Sequence, residues 1–342
     1  MILSSIANGT FDYNLTFPNS PNAKKYKPTS STKIKALLQD WLESVKHSLH
    51  SSTYQSHKRT INGVLTNAFG HLAVGEIQWL DIKNWSKKAT QKFKTQNNYI
   101  SILRTALDDA VEDGMIEVNP LHGKKLRKRL DSVAKVDEID PFTEIEREAI
   151  LANCSGQIRN FIQFSMWTGM RPSEIKALIW DDIDWIAETI NVNKALTDDS
   201  PKPEKPKTKN SVRRVKILPA AMDALLSQKE HTFLENKTIF QNPRTGGILH
   251  QRSMIKTYWT RTLKLANVRY RYPYQMRHTY ATMMILAGEP IYWVSQQLGH
   301  GKPSFTIDTY FRFIPSDMPN AGSLAAEKWG KKSCGKSVAK AP

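Results

Sequence analysis

The sequence predicts a mainly α-helical protein with a small antiparallel sheet, divided into a helical domain and a mixed α+β domain. Apolar residues recur at helical three-to-four spacing along most of the chain. Two short segments of alternating polarity, 189–196 and 214–218, flank a stretch rich in proline and lysine, which predicts one hairpin. A basic stretch at 123–137, with little to bury, separates the two parts.

The helical domain is predicted over residues 31–122, as a bundle of four short helices. Ile34, Leu37 and Trp41 share one face of the first helix, which is the spacing of a helix that packs on a core. Gly70 follows the second helix, where a glycine stop is common. Helices are expected over 34–45, 52–69 and 96–113, and a short turn or helix over 77–85.

The mixed α+β domain is predicted over residues 138–329. The loop between its two strands contains Lys205, Lys207 and Lys209, interleaved with prolines. Because proline blocks strand pairing and lysine resists burial, this loop is expected to be exposed, flexible and basic. Helices are expected over 143–153, 156–167, 220–229, 252–266, 278–287, 290–298 and 303–312.

The charge balance points to a polyanionic partner. The 342 residues include 49 Lys and Arg against 32 Asp and Glu, a formal net charge of +17. Lysine and arginine that neutralise phosphates release condensed counterions, so this excess favours nucleic acid over a merely solvated surface. Cys154 and Cys334 are too few and too differently placed for a disulfide framework or a cysteine-based zinc site, which fits a reducing cytoplasm. Neither a membrane span of ~18 apolar residues nor a signal peptide is recognised.

Three segments are expected outside the two domains. Residues 1–30 are interpreted as an extended arm, and residues 330–342 as a disordered basic tail. In the linker at 123–137, six of fifteen residues are basic, which favours a segment that crosses a phosphate backbone over a solvated tether. The candidate DNA-binding residues are Lys58, Arg59, Lys124, Lys125, Arg127, Lys128, Arg129 and Lys205.

A turn between two helices supplies the first candidate for phosphate binding. Gly169 ends one helix, Pro172 suits the first position of the next, and Arg171 stands at the junction. An arginine beside the free N–H groups of a helix N-terminus is a setting that binds phosphate. Glu174 lies one turn further and can hold such N–H groups. Alone, this arginine is equally consistent with a structural role.

The stretch 274–310 gathers the remaining phosphate-binding side chains. Arg277 opens one helix, and Gly299 suits a left-handed helix stop that turns His300 off the axis of another. Tyr310 follows on a short helix. Taken singly, each residue has a simpler explanation: Arg277 as a surface charge, His300 as a polar helix cap and Tyr310 as an interface aromatic. Their order, together with the upstream arginine turn and lysine loop, indicates phosphate chemistry with a phenolic nucleophile.

In these residues the chain resembles the tyrosine recombinase (phage integrase) family. The family's catalytic domain presents, in order, an arginine after T-G-x, a hairpin lysine, H-x-x-R-H, L-G-H and a nucleophilic tyrosine. The matching segments are Thr168-Gly169-Met170-Arg171, Lys207-Thr208-Lys209, Tyr274-Gln275-Met276-Arg277-His278, Leu298-Gly299-His300 and Tyr310. The resemblance covers about residues 31–320. Residues 8–20 look like the segment after the arm-binding domain of some prophage integrases, so 1–30 is interpreted as the remnant linker of a missing domain.

The resemblance implies a SAM-like core-binding domain at 31–122 and a catalytic domain at 138–329 that clamp DNA. The implied activity is site-specific cutting and rejoining of DNA through a 3′-phosphotyrosyl intermediate, for integration or excision of a phage or mobile element. The implied partners are attachment sites in double-stranded DNA, other copies of the chain in a tetramer on DNA, and DNA-bending accessory proteins. No metal or other cofactor is expected, and the location is the bacterial cytoplasm, at the nucleoid. A monomer is the alternative for the protein free of DNA.

Each motif residue takes a role from the resemblance. Tyr310 is the implied nucleophile, and Arg171 and Arg277 would hold the nonbridging phosphate oxygens. His300 would support the same oxygens. Lys207 would protonate the leaving 5′-oxygen, and a mobile loop suits an acid that enters only when substrate binds.

Four further residues are assigned to the site with the roles left open or secondary. Tyr274 stands where the motif has histidine, and a phenol with a pKa of about 10 is a poor base at neutral pH. Similar prophage integrases also carry tyrosine there, so the position is interpreted as a variant. Lys209 is the alternative to Lys207 as the acid, and His278 and Glu174 are expected to hold the arginines.

Two other functions stay open at the sequence level. A catalytically decayed prophage remnant that only binds DNA would agree with the tyrosine at 274 and the apparent N-terminal loss. A type IB topoisomerase shares the tyrosine and the arginines, but the L-G-H motif and residues 8–20 argue against it. The DNA target and the preference for integration or excision do not follow from the sequence.

Overall fold

The computed structural model describes residues 16–17, 20, 31–127, 139–200, 202–206, 209–235, 238–250, 254–314 and 327. These residues group into two compact units, 1–136 with 199–201 and 137–198 with 202–342. Most of the predicted arm and all of the tail at 330–342 lie outside the described residues. So do Lys128, Arg129, Lys207 and the side chain of Lys209.

The first unit is helical. Its helices are α1 (Ile34–Ser44), α2 (Ser51–Thr60), which continues through a π-helical segment (Ile61–Leu65) and a last α-turn (Thr66–Phe69), α3 (Trp79–Lys88) and α4 (Phe93–Glu112). The predicted stripe of α1 is buried, because Ile34, Leu38 and Trp41 pack on one core with Leu65 and Leu103. The third element, expected as a turn or short helix, is a ten-residue helix.

The start of the predicted linker is held against the helical unit. The backbone N–H of Leu126 donates to Oδ1 of Asn97 at 2.9 Å, and the Leu126 carbonyl accepts from Nδ2 of Asn97 at 3.0 Å. Leu126 also packs on the helical core. Lys124, Lys125 and Arg127 are exposed around it. The expectation that this segment has little to bury is therefore wrong at Leu126.

The second unit is mixed. Its elements are α5 (Glu144–Ala152), α6 (Gly156–Thr168), α7 (Pro172–Ile175), β1 (Ile183–Asp184), β2 (Thr189–Val192), β3 (Arg213–Lys216), α8 (Pro219–Thr232), a π-helical segment (Met254–Trp259) that leads into α9 (Thr260–Leu265), α10 (Gln275–Leu286), α11 (Ile291–Leu298) and α12 (Pro303–Tyr310). The sheet is antiparallel in the order β1-β2-β3. Helix α6 is buried on most sides, since α8 and α10 both pack against it. The predicted fold class is confirmed.

The start of α10 differs from the prediction and affects the site, and the sheet also departs from its predicted bounds. Helix α10 begins at Gln275 rather than His278, because the carbonyls of Tyr272 and Pro273 accept the N–H groups of Gln275 and Met276. Tyr274 is therefore the last residue before the helix. Strand β2 ends at residue 192 rather than 196, and the two-residue strand β1 was not predicted.

Two kinds of feature are missing from the described part of the chain. None of its helices is long and apolar enough to span a membrane. Nor do three or more histidine, cysteine, aspartate or glutamate side chains group there as ligands for a metal ion.

Candidate active site

A glycine turn after α6 places the first arginine. Gly169 adopts the left-handed conformation (φ +61°), and a Cβ there would lie 2.3 Å from Cδ1 of Tyr280. Pro172 begins α7, with Arg171 immediately before it. Because α6 stops so sharply, the carbonyl of Gly169 is free to accept a hydrogen bond from another part of the unit.

Arg277 is anchored by the carbonyls at two helix ends. Its Nη1 donates to the carbonyl of Gly169 at 2.7 Å, and its Nη2 donates to the carbonyl of Leu298, the last residue of α11, at 2.6 Å. Gly299 ends α11 in the left-handed conformation (φ +66°), as predicted. Burial lowers the pKa of Arg277 to about 10, so the buried guanidinium still carries its charge at neutral pH.

Glu174 joins two arginines. Its Oε1 lies 2.7 Å from Nη1 of Arg171, and its Oε2 lies 2.9 Å from Nη2 of Arg213. Oε2 also accepts the backbone N–H of Arg171 at 2.8 Å, and Nη2 of Arg171 donates to the carbonyl of Gly299 at 3.1 Å. Burial alone would raise the pKa of Glu174, but the hydrogen bonds and charge of Arg213, and the charge of Arg171, hold it at about 2. The carboxylate therefore stays ionised and orients both guanidinium groups.

His300 lies between Arg277 and Thr306. Its Nε2 is 3.1 Å from Nη2 of Arg277, and its Nδ1 is 2.7 Å from Oγ1 of Thr306. Since a guanidinium only donates, Nε2 accepts and the ring proton lies on Nδ1, which donates to Thr306. Burial, followed by the charges of Arg277, Arg171 and Arg213, lowers the pKa of His300 to about 3. The imidazole is therefore neutral.

Tyr310 lies in an apolar cluster at the other end of the site. The residue is 1% exposed and packs with Tyr280, Met284 and Leu298. Its hydroxyl lies 2.8 Å from Nδ1 of His278. Burial raises the pKa of Tyr310, which the charge of a nearby arginine offsets only in part. The Nδ1 side of His278 thus faces the tyrosine, while its support of the arginines stays a prediction.

The remaining predicted residues lie at the edge of this constellation or outside it. Tyr274 is 38% exposed, and its ring packs edge-on against His278 with the centroids 5.2 Å apart. Lys205 is exposed in the hairpin loop, and Lys58 and Arg59 are exposed in the helical unit. The predicted acid, Lys207, lies outside the described residues.

Arg213 is a site residue that the sequence reasoning missed. Its side chain is 7% exposed and binds Glu174, and its Nε donates to the carbonyl of Gln297 at 2.7 Å. A signal was present, because alternation along β3 puts residue 213 on the same face as the buried Val215. An arginine on a buried face requires an acidic or carbonyl partner.

The comparisons with known proteins identify the family of this chain. Residues 141–314 match the model of the phage integrase family, and residues 33–89 match the model of the phage integrase N-terminal SAM-like domain. The prophage integrase IntR of Escherichia coli strain K12 is 27% identical, over 92% of this chain and 84% of that protein. The predicted family resemblance is confirmed.

Solved structures share the fold at low sequence identity. A variant of the Tn1549 transposon integrase in complex with a circular intermediate DNA aligns with a TM-score of 0.68 and 19% identity, over 87% of this chain and 99% of that one. A lambda integrase tetramer bound to a Holliday junction aligns with a TM-score of 0.63 and 15% identity, over 88% and 86%. At these identities the likeness establishes the fold.

Proposed function

The chain belongs to the phage integrase family of tyrosine recombinases, and from that premise we propose that it cuts and rejoins double-stranded DNA at specific sites through a 3′-phosphotyrosyl intermediate. One observation carries the proposal. Arg171, Arg277 and His300 meet at the ends of three segments, and His278, next to Arg277 in the chain, hydrogen-bonds to the hydroxyl of Tyr310. The reaction would integrate or excise a mobile element.

The arginines would stabilise the charge that develops on the phosphate. Arg171 and Arg277 would each donate to the nonbridging oxygens, where negative charge grows as the phosphorane forms. Both guanidinium groups are held before substrate arrives, so little reorganisation accompanies the reaction. His300 is neutral in the free protein, and the phosphate charge would favour a proton on its Nε2, which could then donate to the same oxygens.

Tyr310 would be the nucleophile and a loop lysine the acid. Attack by the phenol forms the phosphotyrosine and breaks the bond to the 5′-oxygen, which takes a proton from Lys207, with Lys209 as the alternative. The energy of the phosphodiester is kept in the phosphotyrosine, so the strands can be rejoined without a nucleotide.

Exposed cations in both units would hold the DNA backbone. In the helical unit these are Lys58, Arg59, Lys124, Lys125 and Arg127, and in the hairpin loop Lys205. Strand exchange between two duplexes needs four cleavages, so we propose that four copies assemble on DNA. The lambda integrase tetramer on a Holliday junction has the same fold and supports this assembly.

Covalent trapping tests the proposal and selects the attachment site in one experiment. The full chain is incubated with a pool of randomised duplexes that carry a nick beside the variable region, so that cleavage releases a short strand and cannot reverse. Adducts that survive denaturation are isolated and sequenced. We expect one recovered sequence class with the wild type and none with Tyr310→Phe, which should still bind the selected DNA.

The outcomes separate the alternatives. Binding of the selected DNA without any adduct from the wild type would identify a DNA-binding remnant. An adduct that remains with Tyr310→Phe would sink the assignment of the nucleophile. Relaxation of a supercoiled plasmid that lacks the selected sequence would favour a topoisomerase.

A further inference from the structure

His278 lies between two phenol rings. Its ring centroid is 5.2 Å from that of Tyr274 and 5.7 Å from that of Tyr310, both in tilted or edge-on contact. Its Nδ1 is 2.8 Å from the hydroxyl of Tyr310. Among the described residues, His278 is the one hydrogen-bond partner of the Tyr310 hydroxyl. The imidazole is therefore the basic group in contact with the proposed nucleophile.

We infer that His278 holds the hydroxyl of Tyr310 before cleavage and accepts its proton during attack on the phosphate. This role rests on the proposed function and deepens it, because the sequence pattern assigned His278 only to the support of the arginines. Tyr274 lies one helical turn earlier on the same side and cannot take this role, since a phenol is a poor base at neutral pH.

The state of the imidazole fits an acceptor. Burial, followed by the charge of Arg277, lowers the pKa of His278 to about 4, so the ring is neutral. In the tautomer with its proton on Nε2, the lone pair of Nδ1, 2.8 Å from the phenol oxygen, accepts from Tyr310. Burial also raises the pKa of Tyr310, so the proton remains on the phenol while no DNA is bound. His300, close enough to interact electrostatically with His278, is neutral as well.

Substrate binding would change this balance. A phosphodiester between Arg171 and Arg277 carries a negative charge that offsets the cations next to His278. The pKa of the imidazole then rises, and transfer of the phenolic proton becomes easier when the scissile phosphate is in place. The proposed base is thereby active mainly in the complex with DNA, which protects Tyr310 from reacting elsewhere.

The proton balance of the step is complete. As the bond between the Tyr310 oxygen and phosphorus forms, the phenolic proton moves to Nδ1 of His278. As the bond between phosphorus and the 5′-oxygen breaks, that oxygen takes a proton from the loop lysine. Rejoining runs the two transfers backwards, so His278 returns the proton to Tyr310 as it leaves.

Two substitutions separate positioning from proton transfer. His278→Asn can keep an acceptor near the place of Nδ1 but cannot take a proton, whereas His278→Phe keeps the ring packing and loses both functions. His231→Asn, at an exposed histidine of α8, is the matched control. The measurement is the single-turnover rate of adduct formation on the selected nicked duplex, from pH 6 to pH 10.

At pH 7 we expect His278→Asn to slow adduct formation about 100-fold, the usual contribution of a general base. The affinity of His278→Asn for DNA should differ from that of the wild type by less than about twofold, because only the chemical step is impaired. His231→Asn should match the wild type in both measurements. The deficit should shrink as pH rises, because hydroxide replaces the missing base, while the wild-type rate reaches a plateau. If the asparagine variant does not fold, His278→Phe must show the same loss and the same rescue at high pH.

The contrary results are distinct. Variants that keep the wild-type rate and pH profile would overturn the inference, and faster variants would identify His278 as a latch that restrains Tyr310. Absence of any adduct with the wild type would instead overturn the proposed function itself.

Discussion

The two ends of the candidate site are built by different interactions. At the arginine end, Arg277 and Arg171 are held by carbonyls at helix ends and by the carboxylate of Glu174. At the tyrosine end, Tyr310 is held by apolar packing and one hydrogen bond to His278. Burying a cation without partners costs several kcal/mol. The buried guanidinium of Arg277 therefore needs hydrogen-bond acceptors around it, and these acceptors fix its orientation. A single net hydrogen bond is worth about 1 kcal/mol, so apolar packing contributes most of the interaction that holds the phenol.

The largest effect is expected from Arg277→Lys. An ammonium cannot donate to the carbonyls of Gly169 and Leu298 and also to two phosphate oxygens, so transition-state stabilisation is lost. We expect adduct formation to fall about 10³-fold, as for the loss of a donor that stabilises developing charge. Arg244→Lys, at an exposed arginine of the same unit, is the control. A loss below about tenfold would mean that this end of the site does not need a planar fork.

The next largest effect is expected from Gly169→Ala, which disturbs the backbone turn whose carbonyl accepts the hydrogen bond from Arg277. Alanine would be strained at φ +61° and would collide with the ring of Tyr280. We expect a loss of about 4 kcal/mol in the free energy of unfolding, measured with urea. Gly288→Ala has the strain alone, since φ is +85° with open space around it, and should cost about 1 kcal/mol. Equal losses would show that the contact with Tyr280 is unimportant.

Glu174→Gln tests the carboxylate that joins the arginines. The pKa of Glu174 is about 2 in the folded protein against an ordinary value of 4.5, so the group stabilises the fold above pH 4.5. This contribution, about 3 kcal/mol, is lost as pH falls from 4.5 towards 2. The unfolding free energies of wild type and variant should therefore differ at pH 7 and converge at pH 2. Glu188→Gln, which breaks an exposed pair with Lys216, should change stability by less than about 1 kcal/mol at any pH.

The smallest effect is expected from Tyr280→Phe at the tyrosine end. The hydroxyl of Tyr280 is buried and has no hydrogen-bond partner among the described residues. Its removal should leave stability unchanged or raise it by up to about 1 kcal/mol, because an unpaired polar group is relieved. Tyr310→Phe is the comparison, since it removes a paired hydroxyl and should cost about 1 kcal/mol. A clear loss from Tyr280→Phe in thermal unfolding would reveal a partner for that hydroxyl.

Much of the site could be predicted because the residues that start and stop its helices act locally. Gly169, Pro172 and Gly299 act within a few residues of their own positions, so the ends of α6 and α11 and the start of α7 follow from the sequence. The start of α10 was misplaced because a proline and a tyrosine gave no recognisable cap. Their carbonyls begin the helix nonetheless.

The sequence by itself determined the mainly helical fold with its small sheet, the family and the order of the motif residues. It did so because helical spacing, glycine stops and short motifs are properties of neighbouring residues. The tertiary structure decided which groups touch. It brought Arg277 to a carbonyl 108 positions earlier, gave Arg213 a buried carboxylate, and placed Nδ1 of His278 beside the hydroxyl of Tyr310. Such partners are chosen by how whole helices pack, and a buried charge or hydroxyl then takes the acceptor that lies within reach.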